Sequence, residues 1–130
     1  MALNVLVVDD SAIVRSIILK SLRLARVELG ETHEAADGRQ GLAVLDQHWV
    51  DVVFLDINMP VMNGEEMIET MRANPLWAEL PVVIVSTEGS RTRIEHLRSL
   101  GAQFIHKPFT PEEIRKVVRE ITGQNHEIRV

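Results

Sequence analysis

Residues 52–60 read VVFLDINMP. Four apolar residues, Val52 to Leu55, run without a polar break, and a carboxylate, Asp56, stands where the run stops. Asn58 and Pro60 follow within four residues. An apolar run this short, closed by turn formers, is the pattern of a buried strand. Because it is continuous and not alternating, both faces of that strand must be covered, as in a parallel sheet between layers of helices. The acid at its end is either a turn residue or a working group. The rest of the chain decides which.

Outward from this run, LNVLVV (3–8) and PVVIV (81–85) repeat the continuous pattern of DVVFL (51–55), and AQFIH (102–106) gives a weaker version. THEAA (32–36), half of it polar, reads as an edge strand. Helical spacing fills the gaps. Val14, Ile18, Leu22, Ala25 and Leu29 make one apolar face over 12–29, and Leu42, Leu45 and Trp49 mark a helix after Gly41. Met67, Ile68 and Met71 do so over Glu65–Arg72, with Asn63-Gly64 read as a turn into that helix. Ile94, Leu97 and Leu100 mark a fourth helix, and Ile114, Val117, Val118 and Ile121 a fifth. The fifth opens on Thr110-Pro111-Glu112-Glu113, a capping box with proline at the first helical position. Strand and helix thus alternate five times, which predicts an α/β, doubly wound (βα)5 sandwich with a five-stranded parallel sheet. One domain is expected over 1–122, followed by a short tail, 123–130.

Composition narrows the function. At 130 residues the chain builds one substantial core, and 45% hydrophobic with 25% charged residues is a globular balance. The net charge of −5 and the lack of a basic stripe argue against nucleic acid as a partner. No cysteine is present, which excludes disulfides, thiolate zinc sites and a thiol nucleophile. The opening MALNVLVVDD reaches acids by position 9, so neither a secretory signal nor membrane insertion is expected, and a cytoplasmic protein is the default. The five histidines, at 33, 48, 96, 106 and 126, show no zinc-ligand spacing and read as structural or surface residues. Met59, Met62, Met67 and Met71 read as packing, and Arg91, Arg93 and Arg98 as a solvated helix face.

In a doubly wound sheet, ligands sit beyond the carboxyl ends of the strands. Those ends carry Asp9-Asp10, Asp56, Ser86-Thr87 and Lys107. Singly, each has a plain reading: Asp9-Asp10 with Ser11 as a helix cap, Asp56 as a turn residue, Ser86-Thr87 as a cap, Lys107 as a solvated charge. Together, at successive strand ends, they form a pocket of three carboxylates flanked by a hydroxyl and an ammonium. Like charges about 4 Å apart repel by roughly 4 kcal/mol at an effective dielectric near 20. Such acids therefore take up protons or gather a cation. Mg²⁺, which prefers oxygen donors and works with phosphate oxygens, fits better than Ca²⁺, for which no spaced ligand loop exists. A carboxylate beside a metal, a lysine and a hydroxyl is suited to accepting a phosphoryl group, with Asp56 as nucleophile.

VVDDS (7–11), FLDINMPVMNG (54–64), PVVIVST (81–87) and FIHKPFT (104–110) resemble the receiver domain of two-component response regulators, the chemotaxis type included. The resemblance covers Leu3 to about Thr122, and its specificity comes from four motifs in order. It implies a flavodoxin-like sheet of order 2-1-3-4-5, for which the chemotaxis receivers are themselves a type case. It implies Asp56 as phosphoacceptor and Mg²⁺ bound by Asp10, Asp56 and the backbone carbonyl of Asn58, with Asp9 acting mostly through water. It implies Ser86 and Phe104 as switch residues, Lys107 as partner of a phosphoryl oxygen, a cis bond before Pro108, and Asn58 and Glu88 as the positions that tune acyl-phosphate lifetime. Both of these are polar, so a short-lived phosphoryl state is expected. Some residues depart from the common pattern. Ser86 replaces a threonine, Thr87 a smaller residue, and Phe104 lacks a phenol oxygen.

The function implied is a stand-alone response regulator, a phospho-switch and not an enzyme, although it assists its own phosphorylation and dephosphorylation. A sensor histidine kinase or phosphotransfer protein would supply the phosphoryl group. A separate protein target would bind the surface of the fourth helix, fifth strand and fifth helix, and a monomer or weak dimer is expected. An aspartyl-nucleophile phosphohydrolase is one alternative, though such enzymes place a second acid where Asn58 stands. A receiver excised from a larger regulator is another. An FMN carrier would need a phosphate loop where Asp9-Asp10 stand.

Overall fold

The computed structural model describes residues 2–129, with side chains described through Thr122. Five strands and five helices alternate: β1 Leu3–Val8, α1 Ala12–Leu24, β2 Leu29–Ala35, α2 Gly38–Gln47, β3 Val52–Leu55, α3 Gly64–Ala73, β4 Val82–Ser86, α4 Arg91–Ser99, β5 Gln103–His106 and α5 Pro111–Arg129. All strand pairs are parallel, in the order β2-β1-β3-β4-β5. The expected doubly wound sandwich is therefore the observed one. The helix bounds of α5 take in 123–129, so the expected tail is not set apart from that helix. Its side chains, His126 among them, lie outside the described residues.

The continuous apolar runs divide between two cores. Val5, Val7, Val52, Phe54, Val83 and Val85 pack with Ile18 and Leu22 of α1 and Ile114 of α5. Leu6, Val8, Val53, Leu55 and Ile84 face the other way, onto Met67, Ile68 and Met71 of α3 and Leu97 of α4. Successive strand residues point to opposite faces, and here both faces are dry, so no polar alternation survives. Each fully buried Val, Leu, Ile or Phe contributes about 1.5–3 kcal/mol of transfer free energy.

Three boundaries differ from the sequence reading. The apolar face over 12–29 predicts a helix reaching Leu29, yet α1 ends at Leu24 and Leu29 opens β2. Arg26 adopts φ 63°, its N–H bonds the Arg23 carbonyl (3.0 Å), and the Val27 N–H reaches the Leu22 carbonyl (3.0 Å). That is a Schellman termination in which arginine takes the place glycine normally fills. Trp49 is not a helix residue: α2 runs from Gly38, with Asp37 as N-cap accepting from the Gln40 N–H (2.9 Å), and stops at Gln47. The indole is 78% exposed and donates to the Asp51 carboxylate (3.0 Å). By contrast, Asn63-Gly64 leads into α3 as read, through an Asn63–Glu66 capping box. Thr110 and Glu113 form the expected box on α5.

Candidate functional site

The strand ends bring the acids together. The Asp56 N–H donates to the Val8 carbonyl (2.9 Å) and the Asp9 N–H to the Ala35 carbonyl (3.0 Å), so each acid is pinned to the neighbouring strand. Carboxylate oxygens of Asp9, Asp10 and Asp56 then lie within 4.8 Å of one another. Ser11, not the acid pair, caps α1 by accepting from Val14 (3.2 Å), which leaves the carboxylates turned to the pocket. Asp9 is almost fully buried, Asp56 half-buried and Asp10 exposed. One Asp9 oxygen accepts from Ser11 N–H (2.9 Å), and the other faces the Lys107 ammonium at 3.5 Å.

Lys107 reaches this place because its N–H bonds the Ser86 carbonyl (3.0 Å), which extends the β4–β5 pairing by one residue. The Lys107–Pro108 peptide is cis, as the resemblance implies. Ser86 is 1% exposed, and its Oγ accepts from the Glu88 N–H (3.1 Å). Asp56 accepts from the N–H of Ile57 (2.9 Å). Gly64 closes the floor. A Cβ there would strike the Asp56 carbonyl oxygen, and the Gly64 N–H donates to Ile57 O (2.9 Å). Only glycine allows α3 to begin this close to the acid.

Electrostatics follow from the geometry. The Asp56 carboxyl is pushed above its ordinary range by burial first and by the Asp9 charge second. Lys107 and the Ile57 N–H pull it down, and Asp10 adds a smaller upward push. Three hard carboxylate donors with no histidine among them suit Mg²⁺ in chemistry and number.

Asn58 is exposed at the mouth of the pocket and Glu88 stands half-buried beside it. Arg93, expected on a solvated face, instead joins them. Its Nη1 donates to Glu88 Oε1 (3.1 Å) and lies 3.4 Å from Asn58 Oδ1, while Nε lies 3.6 Å from Glu65 Oε1. Phe104 is half-buried, with its ring 4.6 Å from that of His106. His106 in turn holds the Glu88 carbonyl through Nε2 (3.1 Å). Arg15 donates to the Asp9 carbonyl (2.6 Å) and pairs with Glu34 (2.9 Å). Sequence reading misses Arg15, Arg93 and His106 as neighbours of the site, because side-chain contacts across 18 or 35 residues leave no periodic trace. It also misses that His33 and His48 stack at 4.1 Å with Glu31 alongside, despite unremarkable spacing.

A parallel five-stranded sheet with buried and exposed acids, a lysine and a buried hydroxyl at its carboxyl edge places the chain in the doubly wound α/β class, with its candidate site beyond the strand ends. The sequence model described as the response regulator receiver domain matches residues 5–119, and the chain belongs to that family. Chemotaxis protein CheY1 of Helicobacter pylori is 32% identical over 125 residues, which are 95% of this chain and 99% of that protein. The solved structure of Vibrio cholerae CheY4 is similar with a TM-score of 0.81 at 33% identity, covering 93% of this chain and 99% of that one. The CheY chain in a CheX-CheY-BeF3-Mg complex from Borrelia burgdorferi is similar with a TM-score of 0.80 at 26% identity, over 92% and 88% of the two chains. The protein is thus a response regulator receiver of the CheY type, a regulator and not a classic enzyme. No helix among the described residues is long and apolar enough to cross a membrane.

Proposed function

We propose that Asp56 accepts a phosphoryl group and that this event switches binding to a separate protein. The observation that carries the reading is the convergence of the Asp9, Asp10 and Asp56 carboxylates beside the Lys107 ammonium. A carboxylate oxygen of Asp56 attacks the phosphorus of a phosphohistidine on a sensor kinase or phosphotransfer protein. A P–O bond forms, the P–N bond breaks, and the departing imidazole takes a proton from solvent. Asp10, Asp56 and the carbonyl of Asn58, with Asp9 acting through water, would hold Mg²⁺, which would supply positive charge to neutralise phosphoryl oxygens. The relative solved with BeF3 and Mg supports Mg²⁺ as the ion.

Lys107 exchanges its Asp9 partner for a phosphoryl oxygen, and the Ser86 hydroxyl, which already accepts from Glu88, turns its proton to another. The Ser86 movement draws on the loop that carries Glu88. Phe104 packs against His106, which holds the Glu88 carbonyl, so movement of that loop is passed to Phe104, which rotates inward. The altered surface is α4, β5 and α5, where an open groove is lined by Phe104, His106, Lys116 and Glu120. Return to the resting state is hydrolysis: water attacks phosphorus, the bond to Asp56 breaks, and inorganic phosphate leaves. Asn58 and Glu88 flank that approach and set its rate.

Incubation with acetyl phosphate and Mg²⁺ tests the reading. One phosphoryl increment in intact mass, absent from Asp56→Asn and absent when EDTA replaces Mg²⁺, is the expected result. A label that survives in Asp56→Asn sinks it, and repeated turnover of phosphate esters would assign a phosphohydrolase instead.

A further inference from the structure

A cation from another element lies across the mouth of the acid pocket. Arg93, in the first turn of α4, reaches three acceptors on three segments: Glu88 before α4, Asn58 after β3 and Glu65 at the start of α3. Its own helix turn is fixed by Ser90, which accepts from the Arg93 N–H (3.3 Å) and donates its N–H to Glu88 (3.0 Å). The guanidinium side chain is 30% exposed and that of Glu88 is 18%, so the pair is only partly screened by solvent. A planar fork with five donors suits this bridge in a way a lysine does not.

We propose that Arg93 is a positioning residue that lengthens the life of the phosphoryl group by occupying Asn58 and Glu88. The inference rests on Asp56 being the phosphoacceptor. Hydrolysis needs a water in line with the bond from phosphorus to Asp56, on the side open to solvent. The two polar groups best placed to orient that water are the amide of Asn58 and the carboxylate of Glu88. While Arg93 holds Glu88 Oε1 and lies against Asn58 Oδ1, neither is free to do so, and the guanidinium covers the approach. Because the bridge joins α4 to the pocket, a partner that draws α4 away would also release the two groups and hasten return to the resting state.

The test labels the full chain with radioactive acetyl phosphate, removes the donor, and follows loss of label at fixed Mg²⁺ and pH. Initial labelling of wild type and its absence in Asp56→Asn judge the acceptor reading separately from the rate. Arg93→Ala is expected to lose label about fivefold faster, the size of effect a partly buried ion pair has on a barrier. Arg93→Lys should fall between. Adding Glu88→Gln to Arg93→Ala should remove most of the acceleration, a coupling that general destabilisation of α4 would not produce. Raising ionic strength should hasten loss in wild type and leave Arg93→Ala unmoved. An Arg93→Ala rate equal to or slower than wild type overturns the proposal.

A second cluster stands at the free edge of the sheet. Glu31 and His33 share one face of the edge strand β2, and His48 caps the carboxyl end of α2 above them. The two imidazoles stack at 4.1 Å, Glu31 contacts His33 Nε2 (3.1 Å), and one donor atom from each of the three lies within 4.8 Å of the others. We infer that this edge binds a borderline transition-metal cation of the Zn²⁺ class, with water completing the shell. Two imidazoles and a carboxylate suit such an ion better than Mg²⁺. Tetrahedral bonds of about 2.1 Å need donors about 3.4 Å apart, which rotation of the exposed Glu31 and His48 side chains provides. Thermal unfolding with ZnCl₂ tests it. An upward shift that persists in Asp56→Asn and vanishes in His48→Ala is expected. No shift, an equal shift in His48→Ala, or a shift lost in Asp56→Asn overturns it.

Discussion

Two arginines hold α4 at its opposite ends, and they hold it differently. Arg72, on α3, donates to the carbonyls of Leu100 (2.6 Å), Trp77 (3.1 Å) and Leu80 (2.8 Å), just past the end of α4 and in the loop before β4. It is buried enough for desolvation to lower its pKa. Arg93, at the other end, meets side-chain oxygens at 3.1–3.6 Å, with its side chain 30% exposed. Backbone carbonyls cannot swing away, whereas carboxylates and amides on flexible stems can. The helix is therefore anchored at the end remote from the acids and releasable at the end beside them. Its middle adds little resistance, since Leu97 is the one buried residue of α4 among those described, against four each in α1 and α3.

Removing the firm anchor should have the largest effect. Arg72→Ala leaves three carbonyls without their donor and is expected to lower stability by about 3 kcal/mol, read by urea denaturation. A loss under about 1 kcal/mol would mean the two ends are held alike. Leu97→Ala removes the central contact and should lower stability by about 2–3 kcal/mol, with hydrogen exchange rising in α4 before β3. Uniform acceleration across both elements would contradict a separately mobile helix.

The acid end carries a smaller effect of opposite sign. The raised Asp56 carboxyl binds its proton more tightly in the folded protein than in the unfolded chain. That contribution is fully present below the ordinary value of 3.8 and is lost as pH climbs through the folded value. Without divalent cation, Asp56→Asn should accordingly be more stable than wild type at pH 7 by roughly 1 kcal/mol, after discounting for solvent screening. The gain should shrink toward zero below about pH 4, and a constant gain across the range would assign it to packing instead. Smallest is His96→Ala. His96 faces Glu69 (3.3 Å) and Glu65 (3.7 Å) across the α3–α4 seam, and its loss should change stability by about 0.3 kcal/mol in low salt and less in high salt.

Much of this was legible from residue order alone. Val5–Val8, Val52–Leu55 and Val82–Val85 announce strands covered on both sides, and the acids, Ser86 and Lys107 that follow them fall at one edge. What escaped is of two kinds. Arg26 ends α1 in a left-handed conformation that its identity does not advertise, so the helix reads too long and the start of β2 is lost. Arg93 and the His33–His48 pair matter through contacts made by exposed side chains between segments far apart in sequence. Hydrophobic periodicity records which face is dry, and it carries no information about which charge meets which across a surface.

Gly64 sits flush against the Asp56 carbonyl. Every other residue type at 64 forces the opening of α3 outward, and the loop after Asp56 with it. A saturation library at this position should consequently return glycine alone among variants that still label, while Glu65, one residue on and partly open to solvent, accepts a broad spectrum. The boundary between a forbidden and a permissive position is thus one peptide wide, which gives protein engineers a sharp limit on how near Asp56 new chemistry can be installed.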